Sequence, residues 1–389
     1  MSERSTAIVL GGGGARAAYQ VGALRAIAQL HEPGGALPFP IVCGTSAGAI
    51  NAATLAIHAD DFRRGVARLA RWWRRIGAAH VYRSDFGSLS RHSAQFLAAV
   101  LTAARPPEGV ASLLDNTPLS ELLREQFDWT RVGERIGEGS LRALAINATS
   151  YSTGHSVSFF EGADDIDAWR RMRRSGRRAT LSHDHLLAST AIPFLFPAAS
   201  IEGDWYMDGS VRQLAPLSAA LNLGARRILV IAVGQFNGQR TSPAAETEYP
   251  SFAQAAGHAL STIFLDNLAA DIERAMQVNR VLELVPPDRA AHLPYGHVDA
   301  LVLAPSRDLG AMALAYVDRL PRAVRTLLRA FGSTAGTGAN LTSYLMFDRA
   351  FCRALLALGY DDTMARRDDV VAFLAGGRHA GPLLPANFS

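Results

Sequence analysis

Residues 41–53 read Ile41-Val42-Cys43-Gly44-Thr45-Ser46-Ala47-Gly48-Ala49-Ile50-Asn51-Ala52-Ala53. The apolar run at the start predicts a short buried strand, and the alanine-rich run at the end predicts a helix. Ser46 stands at the joint, between Gly44 and Gly48, where larger side chains would crowd a sharp turn. Such a turn lifts a serine hydroxyl out of the chain path, and the N–H groups of the following helix favour an anion beside it. The stretch therefore predicts an α/β fold that displays Ser46 as a nucleophile.

A second pattern of strand, turn and helix lies near the start of the chain. Residues 7–10 are apolar, Gly11 to Gly14 are all glycine, and residues 15–30 carry apolar side chains at helical spacing. Two such patterns in succession form a βαβ unit, which predicts a mostly parallel sheet covered by helices. Glycines let the backbone approach a ligand with its N–H groups turned inward, so this loop can hold a phosphate or stabilise an oxyanion.

A third segment, Met207-Asp208-Gly209-Ser210, places an acid at the end of a strand-like run and in a tight turn. Further strands are expected at 141–148, pairing with 157–160, at 227–233 and at 300–305, and a helix is expected over 251–282. From Gly310 onward the pattern is helical only. We therefore expect a catalytic domain over residues 1–309 and a helical C-terminal region over 310–389.

The glycine loop has other possible interpretations. A dinucleotide fingerprint requires an acid at the end of the next strand, but that strand ends in Cys43-Gly44-Thr45-Ser46. A P-loop requires lysine, and all 39 basic residues of this chain are arginine. A serine between glycines or a lone Asp-Gly pair occurs in ordinary turns, so the order of the three segments is more specific than any one of them.

In that order, the three segments resemble the patatin-like phospholipase family. The resemblance runs from about Thr6 to Pro305 and includes Ala188-Ser189-Thr190-Ala191-Ile192-Pro193-Phe194-Leu195-Phe196-Pro197. It implies a three-layer α/β/α fold with a mostly parallel central sheet, and a Ser–Asp dyad that uses neither a cofactor nor a metal.

The resemblance also assigns roles to individual residues. It makes Ser46 the nucleophile and Asp208 the base. The oxyanion loop and the supporting motif positions that it implies are Gly12, Gly13, Gly14, Arg16, Gly44, Gly48 and Gly209. The chain departs from the family pattern at two positions, because Ala17 and Ser210 replace residues that are usually glycine, or glycine or alanine.

The expected function is that of a lipid acyl hydrolase of the phospholipase A type, acting on a phospholipid or another acyl ester through an acyl-enzyme. A non-catalytic lipid-binding protein and a carboxylesterase for small soluble esters remain as alternatives. A Ser–Asp–His triad would need His258, His292 or His297 as its third member. His183 and His185 flank Asp184 and could suggest a metal site, but no third ligand follows at a recognisable spacing.

Composition constrains the cellular setting. The chain has 389 residues and a formal net charge of +4, and it contains no run of about 18 apolar residues, so no membrane-spanning helix is expected. Cys43 and Cys352 give no disulfide framework and no secretory signal is recognised, which together favour the cytoplasm.

Two arginine-rich segments bear on possible partners. Residues 62–76 are expected to form a helix with its apolar stripe in the core, or alternatively an interfacial helix on lipid. Residues 170–178 are expected to form a solvated loop, a helix end or a phosphate-binding rim. Both segments are compatible with peripheral contact with an anionic membrane. Nucleic-acid binding is not expected because aromatic residues are not interleaved, and the sequence leaves the oligomeric state open.

Overall fold

The computed structural model describes residues 6–32, 34–83, 87, 112–213, 215–234, 267–290, 292–293, 296–330 and 339–377. Its strands are β1 (Thr6–Leu10), β2 (Ile41–Thr45), β3 (Ala143–Ser150), β4 (Ser156–Gly162), β5 (Trp169–Arg171), β6 (Arg174–Arg178), β7 (Ala199–Ile201), β8 (Asp204–Asp208), β9 (Arg227–Ile231) and β10 (Asp299–Leu303). Its helices are α1 (Ala18–Leu30), α2 (Ala47–Ile57), α3 (Phe62–Arg75), α4 (Thr117–Gln126), α5 (Thr130–Gly137), α6 (His183–Thr190), α7 (Ser218–Asn222), α8 (Asn267–Glu283), α9 (Pro287–Ala290), α10 (Leu309–Leu314), α11 (Arg322–Ala330), α12 (Ala339–Leu345), α13 (Arg349–Ala365) and α14 (Arg367–Leu374).

The described strands form one mixed sheet in the order β10-β9-β1-β2-β3-β4-β6-β5. The five strands from β10 to β3 are parallel, and β4 runs antiparallel to β3. The short strand β8 also pairs antiparallel with the end of β3, and β7 pairs with β8. Because parallel strands end at the same edge, the residues that follow β1 and β2 lie side by side.

Side chains alternate between two hydrophobic clusters along the central strands. Ile8, Leu10 and Val42 belong to a cluster with α1, α2 and α3, whereas Ala7 and Cys43 belong to a second cluster with α7 and α8. Since successive side chains of a strand point to opposite faces, the sheet is covered on both sides. The expected α/β/α fold with a mostly parallel sheet is confirmed.

Most of the strands and helices that the sequence predicts are present. The predicted pairing of residues 141–148 with 157–160 is confirmed as the β3–β4 pair. The helix expected over 251–282 is observed from Asn267 onward, and residues 251–266, with His258, lie outside the described residues. In α3 the apolar stripe is buried, which confirms the core interpretation of the residue 62–76 segment.

The expectation of a loop or helix end at residues 170–178 is wrong. These residues form the β5–β6 hairpin, which extends the sheet beyond β4. The physical reason lies in the small residue Gly176, because a β-carbon there would clash with the ring of Trp169 and keep the two strands apart. The many arginines in this segment hide any alternation of apolar and polar residues that would predict a strand. Most of the arginines remain at least partly exposed, as expected.

The C-terminal helices pack against the first helix of the chain. Two glycines make the approach of α13 to α1 possible: a β-carbon at Gly22 would clash with the backbone of Leu356, and one at Gly359 would clash with the backbone of Tyr19. The buried hydrophobic residues of α13 belong to the same cluster as those of α1. The division of the chain at residue 309 stays a prediction.

Gly359→Ala is expected to destabilise the protein by about 1–3 kcal/mol, because the added methyl group forces α13 away from α1. Thermal and urea unfolding would measure this effect. Gly137→Ala is the matched control, since a β-carbon at Gly137 meets nothing within 4 Å. Equal stability of the two variants would contradict the close helix contact.

Candidate active site

Ser46 occupies a strained turn between β2 and α2. Its backbone angles are φ 54° and ψ −132°, a conformation that L-residues rarely adopt. The turn brings α2 directly against the end of β1, because a β-carbon at Gly48 would clash with the carbonyl oxygens of Leu10 and Gly11. Strain of this kind costs about 1–3 kcal/mol and persists only where the surroundings hold it in place.

Two side chains outside the turn hold this conformation. The Ser46 N–H donates a 2.8 Å hydrogen bond to Ser189 Oγ, and the Ser189 hydroxyl donates to the carbonyl oxygen of Asn147 at 2.6 Å. The Asn147 side chain donates to Thr45 Oγ1 at 3.0 Å and accepts from Ser158 at 2.7 Å. Ser189 is fully buried, so this network positions the turn without contact with solvent.

Sequence reasoning missed the roles of Ser189 and Asn147. A signal was present for Ser189, because it lies in the stretch of residues 188–197 that carries the family resemblance. For Asn147, the signal was a polar residue inside the apolar β3, where an unpaired amide would be costly.

The sheet register brings Asp208 to Ser46. Thr45 pairs with Asn147 across the β2–β3 ladder, and Asp208 pairs with Ala148 across the β3–β8 ladder. Since β4 occupies the other edge of β3 at these positions, β2 and β8 lie along the same edge of β3. Their adjoining ends bring Ser46, the residue after Thr45, next to Asp208. The backbone N–H of Asp208 also donates to the carbonyl oxygen of Ala191 at 2.8 Å, which ties β8 to the end of α6.

The carboxylate of Asp208 is fully buried. Oδ1 accepts a 2.8 Å hydrogen bond from the Ser210 N–H, while Oδ2 has no hydrogen-bond partner of standard geometry among the described residues. The Ser46 hydroxyl is still close enough to lower the pKa of Asp208 by hydrogen bonding. The contact is therefore longer or less well aligned than a standard hydrogen bond.

Burial raises the pKa of Asp208 to about 6, because the charged form loses its hydration. Hydrogen bonding by Ser46 and Ser210 acts in the opposite direction and limits this rise. The carboxylate is thus a stronger base than an exposed aspartate and still mostly ionised at pH 7.

The glycine loop lies directly over Ser46. A β-carbon at Gly12 would lie 3.0 Å from Ser46 Cβ and would clash with Ser210 Oγ. Gly14 has a φ of 53°, and a β-carbon there would clash with the backbone of Tyr344. Within the described residues, the N–H groups of Gly12, Gly13 and Gly14 donate no hydrogen bond. They are available to an oxyanion formed beside Ser46.

Arg16 lies behind the loop, with its side chain turned towards the C-terminal helices. Its Nε donates to Ser343 Oγ at 2.6 Å, and its guanidinium lies 4.6 Å from the ring centre of Tyr344. The side chain is buried. Arg16 therefore links the glycine loop to α12 through a hydrogen bond and a cation–π contact, which the sequence does not predict.

The remaining motif residues serve close packing. A β-carbon at Gly44 would lie 2.5 Å from Ala49 Cα, and one at Gly209 would clash with the carbonyl of Asn147. Ala17 is fully buried and its carbonyl accepts a 3.2 Å hydrogen bond from Asn51. The methyl group at Ala17 is thus accommodated. The Ser210 hydroxyl is buried beside Asp208 and has no standard hydrogen-bond partner among the described residues.

A narrow apolar cavity of about 30 Å³ adjoins Ser46. Its walls come from α2, α3, the segment after α6 and the C-terminal region, and its lining includes Ile50, Trp72, Ile76, Ile192, Phe196, Tyr344, Leu345 and Phe347. These side chains surround the space beside Ser46 with apolar groups. The C-terminal residues thus form part of the site.

Other candidate residues lie apart from this site. His297 precedes β10, at the sheet edge opposite to the end of β2 that carries Ser46. His183 contacts Arg124 at 2.9 Å and Asp184 at 3.1 Å, and His185 contacts the Ser182 hydroxyl at 3.0 Å. No group of three or more potential metal ligands occurs in the part of the chain that the structure describes.

Comparison with known proteins places the chain in a family. The family model for patatin-like phospholipase matches residues 8–221, which is more than half of the chain and includes Ser46 and Asp208. A search of curated proteins found no match. None of the described helices is both long enough and apolar enough to cross a membrane. The family match and the α/β/α fold agree, and this chain therefore belongs to the patatin-like phospholipase family.

Proposed function

We propose that this protein is a lipid acyl hydrolase of the phospholipase A type that uses Ser46 and Asp208 as a catalytic dyad. The family match supports hydrolysis of lipid acyl esters in general. The observation that supports the dyad is the buried Asp208 Oδ2, which lacks a standard hydrogen-bond partner among the described residues and lies beside the Ser46 hydroxyl.

The reaction has two stages. Asp208 accepts the hydroxyl proton while Ser46 Oγ attacks the ester carbonyl carbon, and the negative charge moves to the carbonyl oxygen. The N–H groups of the glycine loop stabilise this oxyanion, and losing one such donor typically costs about 3 kcal/mol of transition-state stabilisation. The ester C–O bond breaks, and the alcohol leaves with the proton from Asp208. Water then loses a proton to Asp208 and attacks the carbonyl carbon of the acyl-enzyme. The bond to Ser46 Oγ breaks, the fatty acid leaves, and Asp208 returns the proton to Ser46 Oγ.

A pKa of about 6 suits this role. A general base works best when its pKa lies near the working pH and its ionised form still predominates. Asp208 meets both conditions at pH 7, so the dyad does not need a histidine.

A reactive fluorophosphonate tests the proposal. We expect the probe to label Ser46, as located by peptide mass spectrometry, and to abolish hydrolysis of a palmitoyl ester in proportion to labelling. Unlabelled Ser46 in protein that still hydrolyses the ester would contradict the dyad. Absence of both labelling and hydrolysis would favour a non-catalytic lipid-binding protein.

The small volume of the cavity beside Ser46 favours a second candidate, a carboxylesterase for small soluble esters. A series of p-nitrophenyl esters from butyrate to palmitate separates the two. A lipid acyl hydrolase should turn over the long-chain esters faster once they form micelles. A hydrolysis rate that is highest for the butyrate ester and does not change when the substrate forms micelles would favour the small-ester enzyme.

We also propose peripheral contact with an anionic membrane through the β5–β6 hairpin. Met172 at its tip is 90% exposed and lies between Arg171 and Arg173. Exposed apolar and cationic groups together suit an anionic lipid surface. Nearby, the Tyr151 N–H donates to the carbonyl of Trp205, and both aromatic side chains are exposed.

Vesicle co-sedimentation tests this contact. The protein is expected to pellet with vesicles of phosphatidylcholine and phosphatidylglycerol in equal amounts, and to be released by salt. Met172→Asp should pellet less than wild type, whereas Leu284→Asp is the control, since Leu284 is 85% exposed at the end of α8. A pelleted fraction that depends neither on salt concentration nor on the charge of the lipid would exclude the proposed contact.

A further inference from the structure

A second, larger cavity lies between α2, α3 and α4, with a volume of about 370 Å³. We call it the arginine cavity. Its floor is apolar, and its cationic or titratable lining residues are Arg68, Arg71, Arg75, His58 and His80. No carboxylate is among the described residues that line it. Burial and the neighbouring arginines lower the pKa of His58, which favours its neutral form.

The arginines of α3 differ in their partners. Arg64 pairs with Asp60, and Arg68 donates to the Gln126 carbonyl at 2.9 Å. The guanidinium groups of Arg71 and Arg75, one helical turn apart, have no hydrogen-bond or ion-pair partner among the described residues, whereas the backbone carbonyl of Arg75 accepts a 3.3 Å hydrogen bond from Arg349 Nε. Like charges at this spacing repel each other. An anion between them would relieve this repulsion.

The arginine cavity adjoins the cavity beside Ser46. Ile50, Trp72 and Ile76 line both of them. Arg71 and Arg75 line the arginine cavity, and each directly precedes a residue of the shared wall, Trp72 or Ile76. One amphiphilic molecule could therefore reach Ser46 with an ester and Arg71 and Arg75 with an anionic group.

We propose that Arg71 and Arg75 form a subsite for the phosphate group of a phospholipid whose acyl ester lies at Ser46. The inference rests on the proposed function and assigns a specificity role to the arginine cavity. Guanidinium groups match phosphate oxygens with paired hydrogen bonds, and the apolar floor accommodates the adjoining alkyl portion of the lipid.

Two matched pairs of ligands test the subsite with the double variant Arg71→Gln, Arg75→Gln. The first pair is palmitoyl lysophosphatidylglycerol and monopalmitoylglycerol, compared by kcat/KM in the same detergent micelles. The double variant is expected to lower the phospholipid-to-neutral ratio about tenfold or more, since charge-assisted hydrogen bonds are lost. Arg74→Gln is the control, because Arg74 lies on the same helix and does not line the cavity.

The second pair separates this inference from the proposed function. Calorimetry with Ser46→Ala protein measures binding of an ether-linked lysophosphatidylglycerol and of the matching alkylglycerol, neither of which can be hydrolysed at the alkyl chain. The measured quantity is the ratio of the two binding affinities. If adding Arg71→Gln and Arg75→Gln to Ser46→Ala abolishes the preference for the phospholipid analogue, the subsite is supported even if no ester is turned over. If the wild type hydrolyses the esters but the Ser46→Ala protein binds both ether ligands equally well, the subsite is overturned and the proposed function stands.

Two further outcomes would also overturn the subsite. If Arg74→Gln lowers the phospholipid-to-neutral ratio of kcat/KM as much as the double variant does, the effect is one of general charge. Inorganic phosphate that binds as tightly as the ether phospholipid would assign the two arginines to free phosphate instead.

Discussion

Ser46→Ala is expected to lower kcat for a palmitoyl ester by at least about 10⁴-fold, because it removes the hydroxyl that is proposed to form the acyl-enzyme. The variant retains the glycine loop and the apolar cavity, so it should still bind lipid. Product release from a fluorogenic ester, followed over hours, measures the residual rate. Ser200→Ala is the control, since Ser200 is an exposed serine on β7, and it should retain wild-type activity.

The expected loss depends on the protein remaining folded. The replaced hydroxyl is buried beside Asp208 and makes no hydrogen bond of standard geometry to any residue that the structure describes, so the melting temperature should change little. A Ser46→Ala protein that melts as wild type does and still hydrolyses the ester at a tenth or more of the wild-type rate would rule out Ser46 as the nucleophile.

Asp208→Asn is expected to lower kcat by about 10³-fold or more, because an amide cannot accept the Ser46 proton. In the wild type, kcat/KM should rise with pH until Asp208 is ionised, with an apparent pKa of about 6. A pH profile from 4.5 to 8 measures this rise. The residual activity of Asp208→Asn should lack it. If kcat/KM of Asp208→Asn still rises with an apparent pKa of about 6, another group is the base.

The same substitution is expected to stabilise the protein at pH 7. The pKa of Asp208 is raised from 3.8 in the unfolded chain to about 6 in the folded protein, so the folded state binds the proton more tightly. The free energy of unfolding therefore falls as pH rises from about 4 to 6, by at most about 3 kcal/mol. Asparagine carries no charge to bury.

The stability gain provides a control for the loss of activity. Urea unfolding should show Asp208→Asn to be more stable than wild type at pH 7 and nearly equal to it at pH 4. A variant that is inactive and also less stable at pH 7 would point to a structural role for the carboxylate, contrary to the dyad.

The local sequence predicted much of the fold. The apolar runs at 7–10 and 41–43 predicted β1 and β2, and helical spacing predicted α1 and the buried stripe of α3, because burial imposes those periods on any chain. The hairpin at 169–178 was not predicted. Its pairing depends on contact between Gly176 and Trp169, which no local pattern encodes.

The candidate site divides in the same way. The three glycine-containing turns were visible in the sequence because close backbone approach excludes side chains. The support that Ser189 and Asn147 give to Ser46, and the bond from Arg16 to Ser343, were not visible, because each joins residues that are distant in the chain.

The sequence by itself determined which groups are available for chemistry: a serine in a turn that must be strained, an aspartate at the end of a strand, and a loop of glycines after another strand. These follow from short-range sterics, which act within a few residues. Only the tertiary structure decided that β3 places Asp208 beside Ser46, that C-terminal side chains cover the site, and that the pKa of the carboxylate is raised. Long-range packing removes water from Asp208, and that loss of hydration is a property of the whole fold.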